Sequence, residues 1–262
     1  MNLYKPEEIA ALKEGGQILS DILLAAAKQV APGVTLLELN NFAEQQIRAA
    51  GGVPSFLGYK VSRKDPAFPS TVCTSVNEEV VHGIATDRVL EEGQLLKMDI
   101  GMRYKGLCTD MATSVPVGEV SSEVKKLARV TREALRIGIK QCQPGNWVSD
   151  IGKAVDKHVT ANGFVTVKAL VGHGVGHDVH EEPQVPNFHD KFLRPVKLVP
   201  GMVLALEPMV NAGSEAVVVM DDSWTIATED GSLSAHYEVT IAVTENGPEM
   251  ITPMVVWPPE QN

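Results

Sequence analysis

Four acidic residues lie inside or beside apolar stretches of this chain, where an unpaired carboxylate is costly to bury. Asp99 lies in LLKMDIGM, Glu207 lies in VLALEPMV, and Asp110 and Glu238 lie in similar strand-like runs. Taken singly, each acid reads as a solvated residue or as half of a salt bridge. Taken together, they need neutralisation, and no Arg or Lys on the neighbouring apolar strands is placed to provide it. The pattern therefore indicates a site for divalent cations, because carboxylate oxygens are ligands that such ions prefer.

The first two of these acids belong to a predicted β-hairpin. The runs at 95–102 and 107–115 have the texture of strands, and residues 104–106 form the turn between them. A tight turn there is expected to place Asp99 directly opposite Asp110 on one face of the sheet. Two carboxylates in that position repel each other unless a cation lies between them, so we predict a metal site on that face.

Histidines add nitrogen ligands to this set. His173 and His180 occur in LVGHGVGHDVHEEP, where the glycines argue against a helix and favour a loop or strand that presents the imidazoles. Beside four acids, both are candidate site residues. His82, in NEEVVHGI, is open between a core histidine and a site residue. The histidines interpreted as structural or solvated are His158, His189 and His236.

The apolar periodicity predicts helices, then strands, then the same order again. Pro6 opens a first helix that ends before residues 32–33, and Thr35 with Glu38 forms a capping box for a second helix that ends near 51–52. Two more helices are expected at about 122–142 and 149–162, with strand-like runs at 71–76, 95–102 and 107–115 and further strands from 163 to 252.

An internal repeat underlies this order. The segment KQVAPG at 28–33 aligns with KQCQPG at 140–145, and apolar positions agree through the helix that follows each. A glycine precedes Asp99 by six residues in GQLLKMD, as another precedes Glu207 in GMVLALE. We expect two halves related by a pseudo-twofold axis, with the four acids at its centre. The fold class is α/β (α+β), as one domain over 1–262.

Composition and sequence patterns argue against several other classes of protein. The formal net charge is −10, with 33 acidic and 23 basic residues, which argues against a nucleic-acid surface. The three cysteines are widely spaced, without the pairing that a disulfide framework or a thiolate zinc site needs. The N-terminus has no apolar signal region, and no apolar run is long enough to span a membrane. A cytoplasmic location follows as an expectation, and no GxSxG elbow suggests a serine hydrolase.

Several longer motifs carry a resemblance to a known family: NEEVVHGI, GHGVGHDVHEEPQVP, LEPMVN and LSAHYEVTI. With them, and over nearly its whole length, the chain resembles the type I methionine aminopeptidases. Their pita-bread fold is shared with Xaa-Pro aminopeptidases, prolidases and creatinases. The resemblance implies a curved antiparallel sheet covered by helices.

The resemblance also implies roles for individual residues. Its five metal ligands, in the order Asp, Asp, His, Glu, Glu, fall on Asp99, Asp110, His173, Glu207 and Glu238. They would bind two divalent cations, which could be Co, Mn, Fe or Zn. Glu207 would also act as general base, and His82 and His180 would contact the substrate. The methionine pocket would draw on Tyr59, Phe68, Cys73, Val179 and Trp224, close to a segment at 60–67 that is longer than the family's usual connection.

The implied function is hydrolytic removal of the initiator methionine when the second residue is small. The expected partners are the N-termini of nascent polypeptides, with the ribosome as the expected place of encounter; no nucleic acid or membrane partner is expected, and the chain is expected to be a monomer. Three alternatives stay open: a Xaa-Pro aminopeptidase or dipeptidase on the same fold, a binding protein that has lost catalysis, and a metal-stabilised protein without activity. Cleavage of Met-Ala against Ala-Pro peptides separates the first from the preferred reading.

Overall fold

A computed structural model describes residues 1–192 and 194–259 of the chain. In it, the side chain of a capping residue begins two of the four predicted helices: Thr35 and Glu38 bond each other's backbone N–H groups, and Ser121 accepts from the N–H of Val124. No helix among these residues has the length and apolarity to cross a membrane. The helices are α1 (Pro6–Ala27), α2 (Leu36–Ala49), α3 (Ser122–Gln141) and α4 (Val148–Ala161).

Most strands join one curved sheet, which confirms the predicted fold class. Its path is β1-β4-β5-β14-β9-β7-β8, with β2 also paired to β4 and β15 to β14, and these strand pairs are antiparallel. Two three-stranded sheets, β13-β10-β6 and β11-β12-β3, complete the structure. The strands are β1 (Val53–Pro54), β2 (Val72–Val76), β3 (Glu79–Val81), β4 (Leu95–Tyr104), β5 (Leu107–Pro116), β6 (Val165–Thr166), β7 (Gly172–Gly174), β8 (Glu181–Val185), β9 (Val203–Leu206), β10 (Met209–Asn211), β11 (Val217–Val219), β12 (Ile226–Thr228), β13 (Ser234–His236), β14 (Glu238–Thr244) and β15 (Gly247–Met250).

The β4–β5 hairpin corrects one expectation. Its turn is the two-residue Lys105-Gly106, both with positive φ, as a type I′ hairpin requires. In this register Asp99 pairs with Ala112, and Asp110 pairs with Gly101. The two acids are therefore diagonal neighbours, and the prediction that they lie directly opposite each other is wrong. They still share a face, because the register offset is two residues and side chains alternate with a period of two.

Side-chain alternation gives the sheet one apolar face and one polar face. On β4, Met98 and Ile100 pack in the core formed with α1 and α2, whereas Asp99 points to the opposite face. On β14, Val239 and Ile241 pack in a second core with α3 and α4, whereas Glu238 points away from it. Each half of the chain thus has its own core beneath the helices, and the acids of both halves lie on the other face of the sheet.

The predicted repeat is present in the structure. Helix α4 begins and ends 112 residues after α2, at 148 and 161 against 36 and 49. The bridge between Thr35 and Val89 has a counterpart between Trp147 and Lys197. The halves meet where β5 pairs with β14, at the centre of the sheet path. A pseudo-twofold axis at this seam brings the acidic strands of both halves together.

Close packing of α1 against the C-terminal segment depends on Gly16, which gives a stability prediction. A Cβ added at Gly16 would overlap the backbone carbonyl of Ile251, whereas one at Gly15 would come no nearer than 3.2 Å to Tyr104. Overpacking costs about 1–3 kcal/mol, which exceeds the gain of about 1 kcal/mol from alanine's helix preference. We expect Gly16→Ala to lower the free energy of unfolding in urea, and Gly15→Ala to lower it less. Equal urea midpoints for both variants would contradict the packing described here.

Candidate metal centre and substrate cavity

The four acids converge from the two halves onto one face of the sheet. Asp99 lies on β4 and Asp110 on β5, while Glu238 begins β14 and Glu207 directly follows β9. Asp99, Asp110 and Glu238 are buried, and Glu207 retains little exposure. Because these are positions on paired strands, backbone hydrogen bonds hold the carboxylates in place more rigidly than a loop would.

The side chain of Thr240 stabilises the seam at Asp110. The N–H of Asp110 donates to Thr240 Oγ1 at 3.0 Å, and Thr240 Oγ1 donates to the carbonyl of Asp110 at 2.7 Å. In turn, Thr252 Oγ1 accepts from the N–H of Thr240 at 2.7 Å. This chain of bonds fixes the position of the Asp110 carboxylate relative to β14.

The buried carboxylates are not satisfied by protein groups. Oδ1 of Asp99, Oδ1 of Asp110 and Oε1 of Glu238 have no hydrogen-bond partner among the described residues. Burial, and then the charges of neighbouring acids, raise the pKa values of Asp110, Glu207 and Glu238, and burial raises that of Asp99. Buried polar atoms are ordinarily paired, so these oxygens fit divalent cations, which would also favour the ionised carboxylates.

His173 presents a nitrogen to this cluster. Its Nδ1 donates to the carbonyl of Gly174 at 2.8 Å, which leaves Nε2 with its lone pair free. Nε2 lies 3.6 Å from Oε1 of Glu207. One ligand atom each from Asp110, His173 and Glu238 lie within 4.8 Å of one another. These three residues could hold one cation together.

Two further histidines, His180 and His82, line the same space. They belong neither to this group of ligand atoms nor to a second one, which Glu207, His236 and Glu238 form. The ring of His180 lies 4.5 Å from that of His173, and its Nδ1 lies 2.9 Å from the hydroxyl of Tyr59. His82 has a φ of 59°, a strained conformation for a residue other than glycine and one that is common at functional sites. Burial lowers the pKa of His82 to about 4, with a further contribution from the charge of His180. Burial and the charge of His173 also lower the pKa of His180, so both rings are neutral near pH 7.

A single cavity of about 530 Å³ connects the acidic cluster with an apolar wall. The rings of Phe68 and Trp224 meet edge to face with centroids 5.2 Å apart, and Cys73 pairs with Asp99 across β2 and β4. Val179 is instead part of a neighbouring pocket. The predicted residues that line the main cavity are Tyr59, Phe68, Cys73, His82, Asp99, Asp110, His173, His180, Glu207, Trp224 and Glu238.

Sequence reasoning missed other parts of the site. His236, interpreted above as structural or solvated, is buried with its Nε2 3.7 Å from Oε2 of Glu207 and 3.9 Å from Oε2 of Glu238. The only signal for it was its place two residues before Glu238. The long segment at 60–67 also reaches the cavity; its position between Tyr59 and Phe68 was the only sequence signal for this. The additional lining residues are Phe56, Val61, Asp65, Pro66, Val219, Ser223 and Ile226.

A carboxylate and imidazole cluster beneath a substrate-sized cavity is typical of hydrolases that use metal ions. Residues 10–245 match the sequence model of metallopeptidase family M24, and the chain belongs to that family. The predictions of the family and of a metallopeptidase are therefore confirmed.

Individual proteins of known sequence or structure are similar to this chain to different degrees. The chain is 42% identical to methionine aminopeptidase 1 of Bacillus subtilis over 247 residues, which are 94% of this chain and 97% of that protein. The crystal structure of a methionine aminopeptidase from Thermotoga maritima superposes with a TM-score of 0.91 at 38% identity, covering 96% of this chain and 99% of that one. A Xaa-Pro dipeptidase from Bacillus anthracis has a TM-score of 0.74 at 24% identity, covering 97% of this chain and 63% of its own, which shows a shared fold alone.

The different positions of two histidines predict different effects on metal binding. His173 faces Glu207 with a free Nε2, whereas His82 belongs to neither group of ligand atoms. We expect His173→Ala to weaken the binding of Mn²⁺ or Co²⁺ at least about tenfold, since even groups behind the ligands contribute that much. His82→Ala should bind metal as the unaltered protein does.

Calorimetric titration of the metal-free proteins, checked by elemental analysis, measures both variants. Equal losses of metal in His82→Ala and His173→Ala would refute the conclusion that His173, and not His82, is a metal ligand.

Proposed function

We propose that this protein is an aminopeptidase that hydrolyses the first peptide bond of new proteins and removes the initiator methionine when the second residue is small. One observation carries the proposal: the acidic cluster and an apolar side-chain pocket share one cavity. The pocket can hold a side chain while the adjacent cluster acts on the bond next to it. The high identity to methionine aminopeptidases over nearly the whole chain supports the same function.

Five residues would hold the metal ions: Asp99, Asp110, His173, Glu207 and Glu238. Two observations support these ligands: buried carboxylate oxygens lack hydrogen-bond partners among the described residues, and Nε2 of His173 has a free lone pair. When bound, two divalent cations would lower the pKa of water and polarise the peptide carbonyl. Co, Mn, Fe and Zn all suit a set of oxygen ligands with one imidazole, so protein chemistry alone does not select among them.

Glu207 is the residue proposed to accept the proton of the attacking water. It lines the cavity, and its Oε1 faces His173. Burial and the charge of Asp99 raise the pKa of Glu207, and bound cations would counter this and keep the carboxylate ionised. An ionised carboxylate at this position in the cavity could accept the proton.

His180 and Tyr59 are proposed to act together on the substrate carbonyl. Burial and the charge of Asp178 raise the pKa of Tyr59, so its hydroxyl keeps its proton and can donate it to Nδ1 of His180. The neutral ring then carries its own proton on Nε2, which can donate to the oxyanion formed during attack. Donors of this kind contribute about 2.7–4 kcal/mol. His82, neutral and held in a strained conformation, is proposed to contact the amide nitrogen of the scissile bond.

The side-chain pocket accounts for the choice of methionine. Phe68, Cys73 and Trp224 form an apolar wall, and an unbranched thioether fits irregular apolar space well. Tyr59 adds an aromatic edge beside His180. The segment at 60–67 contributes Val61, Asp65 and Pro66 to the lining of the same cavity, so its length shapes the pocket in this chain.

The strongest rival is a Xaa-Pro peptidase on the same fold. The fold alone permits it, but identity to the solved Xaa-Pro enzymes is 24% or less, and the chain spans about two thirds or less of their lengths. All five proposed ligands are present here, which disfavours a binding protein that has lost catalysis. The proposed setting is the cytoplasm, where a monomer of one catalytic domain over 1–262 would meet nascent N-termini at the ribosome.

Replacement of Glu207 tests the general-base role. Glu207→Gln keeps the size of the side chain but removes its ability to take a proton, and we expect kcat to fall at least about 100-fold. Glu215→Gln, an exposed acid in the same half, is the control and should leave kcat unchanged. A Glu207→Gln protein that keeps full metal content and more than about a tenth of the original kcat would rule out this role.

Peptide competition tests the specificity. We expect Met-Ala-Ser to be cleaved and Leu-Ala-Ser to be cleaved about 10–200-fold more slowly in kcat/KM, the range over which an apolar pocket discriminates. Met-Lys-Ser should also be cleaved far more slowly, because only a small second residue is expected to fit. Norleucine-Ala-Ser serves as the matched control for the sulfur and should be cleaved at an intermediate rate. Preference for Ala-Pro peptides over Met-Ala peptides would favour the Xaa-Pro alternative.

A further inference from the structure

A fully buried imidazole lies against the two glutamates of the candidate metal centre. His236 ends β13 with 1% of its surface exposed, and neither of its ring nitrogens has a hydrogen-bond partner among the described residues. Nε2 is 3.7 Å from Oε2 of Glu207 and 3.9 Å from Oε2 of Glu238. A buried ring with two unpaired nitrogens is costly, and its place beside two carboxylates suggests a function there.

The position of His236 differs from that of the histidines in the cavity. Glu207 and Glu238 line the cavity, but His236 is not among the described residues that do so. His173 approaches Oε1 of Glu207, whereas His236 approaches Oε2. The carboxylate of Glu207 thus lies between two imidazoles, one in the cavity wall and one behind it. From behind, His236 can contact the carboxylate but not a substrate.

Strand β5 holds the backbone of His236 firmly. Ser114 Oγ donates to the carbonyl of His236 at 2.7 Å and accepts from its N–H at 3.0 Å. The hydroxyl of the next residue, Tyr237, donates to the carbonyl of Ser114 at 3.0 Å. His236 also pairs with Met209 on β10. Because its backbone is held in this way, His236 keeps a constant position relative to Glu207.

We propose that His236 is a positioning residue, whose Nε2–H donates to Oε2 of Glu207 and holds that carboxylate in the orientation needed for metal binding and proton acceptance. The inference rests on the proposed function of Glu207. The present separation of 3.7 Å is longer than a hydrogen bond, and rotation of the glutamate carboxylate would close it. Groups that bond to metal-ligating carboxylates typically change metal affinity or activity 10–100-fold when removed.

Amide substitutions distinguish a donor at Nε2 from simple filling of space. In His236→Gln the amide N–H reaches about as far as Nε2, whereas in His236→Asn it reaches only about as far as Nδ1. His236→Leu fills a similar volume without a donor. We expect the Gln variant to keep kcat for Met-Ala-Ser and Mn²⁺ affinity within about threefold of the unaltered protein. The Asn and Leu variants should lose about 10–100-fold in both, with KM changed less than kcat.

A matched control uses a second imidazole–glutamate pair, which is partly exposed and lies outside the candidate metal centre. His158 Nε2 lies 3.4 Å from Glu133 on the outer helices. His158→Leu should therefore leave kcat and Mn²⁺ affinity unchanged. Mn²⁺ affinity is measured by calorimetry on metal-free protein, so it does not depend on turnover. The unfolding midpoint of each variant shows whether it is folded. If His236→Leu does not fold, His236→Asn alone is compared with His236→Gln.

The results separate three cases. Unaltered kcat and Mn²⁺ affinity in both Asn and Leu variants would overturn the proposal. Loss of a whole equivalent of bound Mn²⁺ in Gln, Asn and Leu alike would also overturn it, because it would make His236 a metal ligand. If the unaltered protein binds Mn²⁺ but cleaves no methionine peptide, the proposed function fails, whereas the order of affinities among the variants still decides the role of His236.

Discussion

Mutual repulsion among four buried carboxylates is the constraint on which this structure depends. Asp99, Asp110, Glu207 and Glu238 come from the two halves and are brought onto one face of the sheet, where burial, and then the charges of neighbouring acids, raise the pKa values of the last three. Such a cluster is stable only with protons or cations between the acids. The fold therefore brings together groups that oppose its own stability, a feature typical of functional sites.

The internal repeat explains how the carboxylates reach one place. Helices and strands of each half enclose a separate apolar core, so each half can hold its sheet edge rigidly at the seam between β5 and β14. The two halves are not identical in their acids, however. Asp99 pairs with Ala112, whereas Glu207 follows Leu206, the partner of Val239, and so lies beside Glu238. As a result, Asp99 and Asp110 are diagonal neighbours on paired strands, whereas Glu207 and Glu238 lie side by side.

Chemistry and specificity are built from different parts of the chain. The central strands provide the acids, while the apolar wall combines Cys73 on β2 with residues from 56–68 and 219–226. Changes in those segments can alter the side-chain pocket without moving the carboxylates. His236 belongs to neither part, because it lies behind the acids, contacts Glu207 from there and is held by Ser114.

The sequence by itself determined the order of elements, the repeat, the family and the set of candidate ligands. These follow from local signals: the capping box at Thr35, the glycine turns, and acids in apolar strands, each of which acts over a few residues. Tertiary structure decided the hairpin register, the burial of His236 and the contribution of residues 60–67 to the cavity. Register depends on a single residue in a turn, and contacts between distant segments depend on packing across the whole sheet. Neither leaves a local pattern, because an imidazole two residues from an acid reads the same whether it faces solvent or a buried carboxylate.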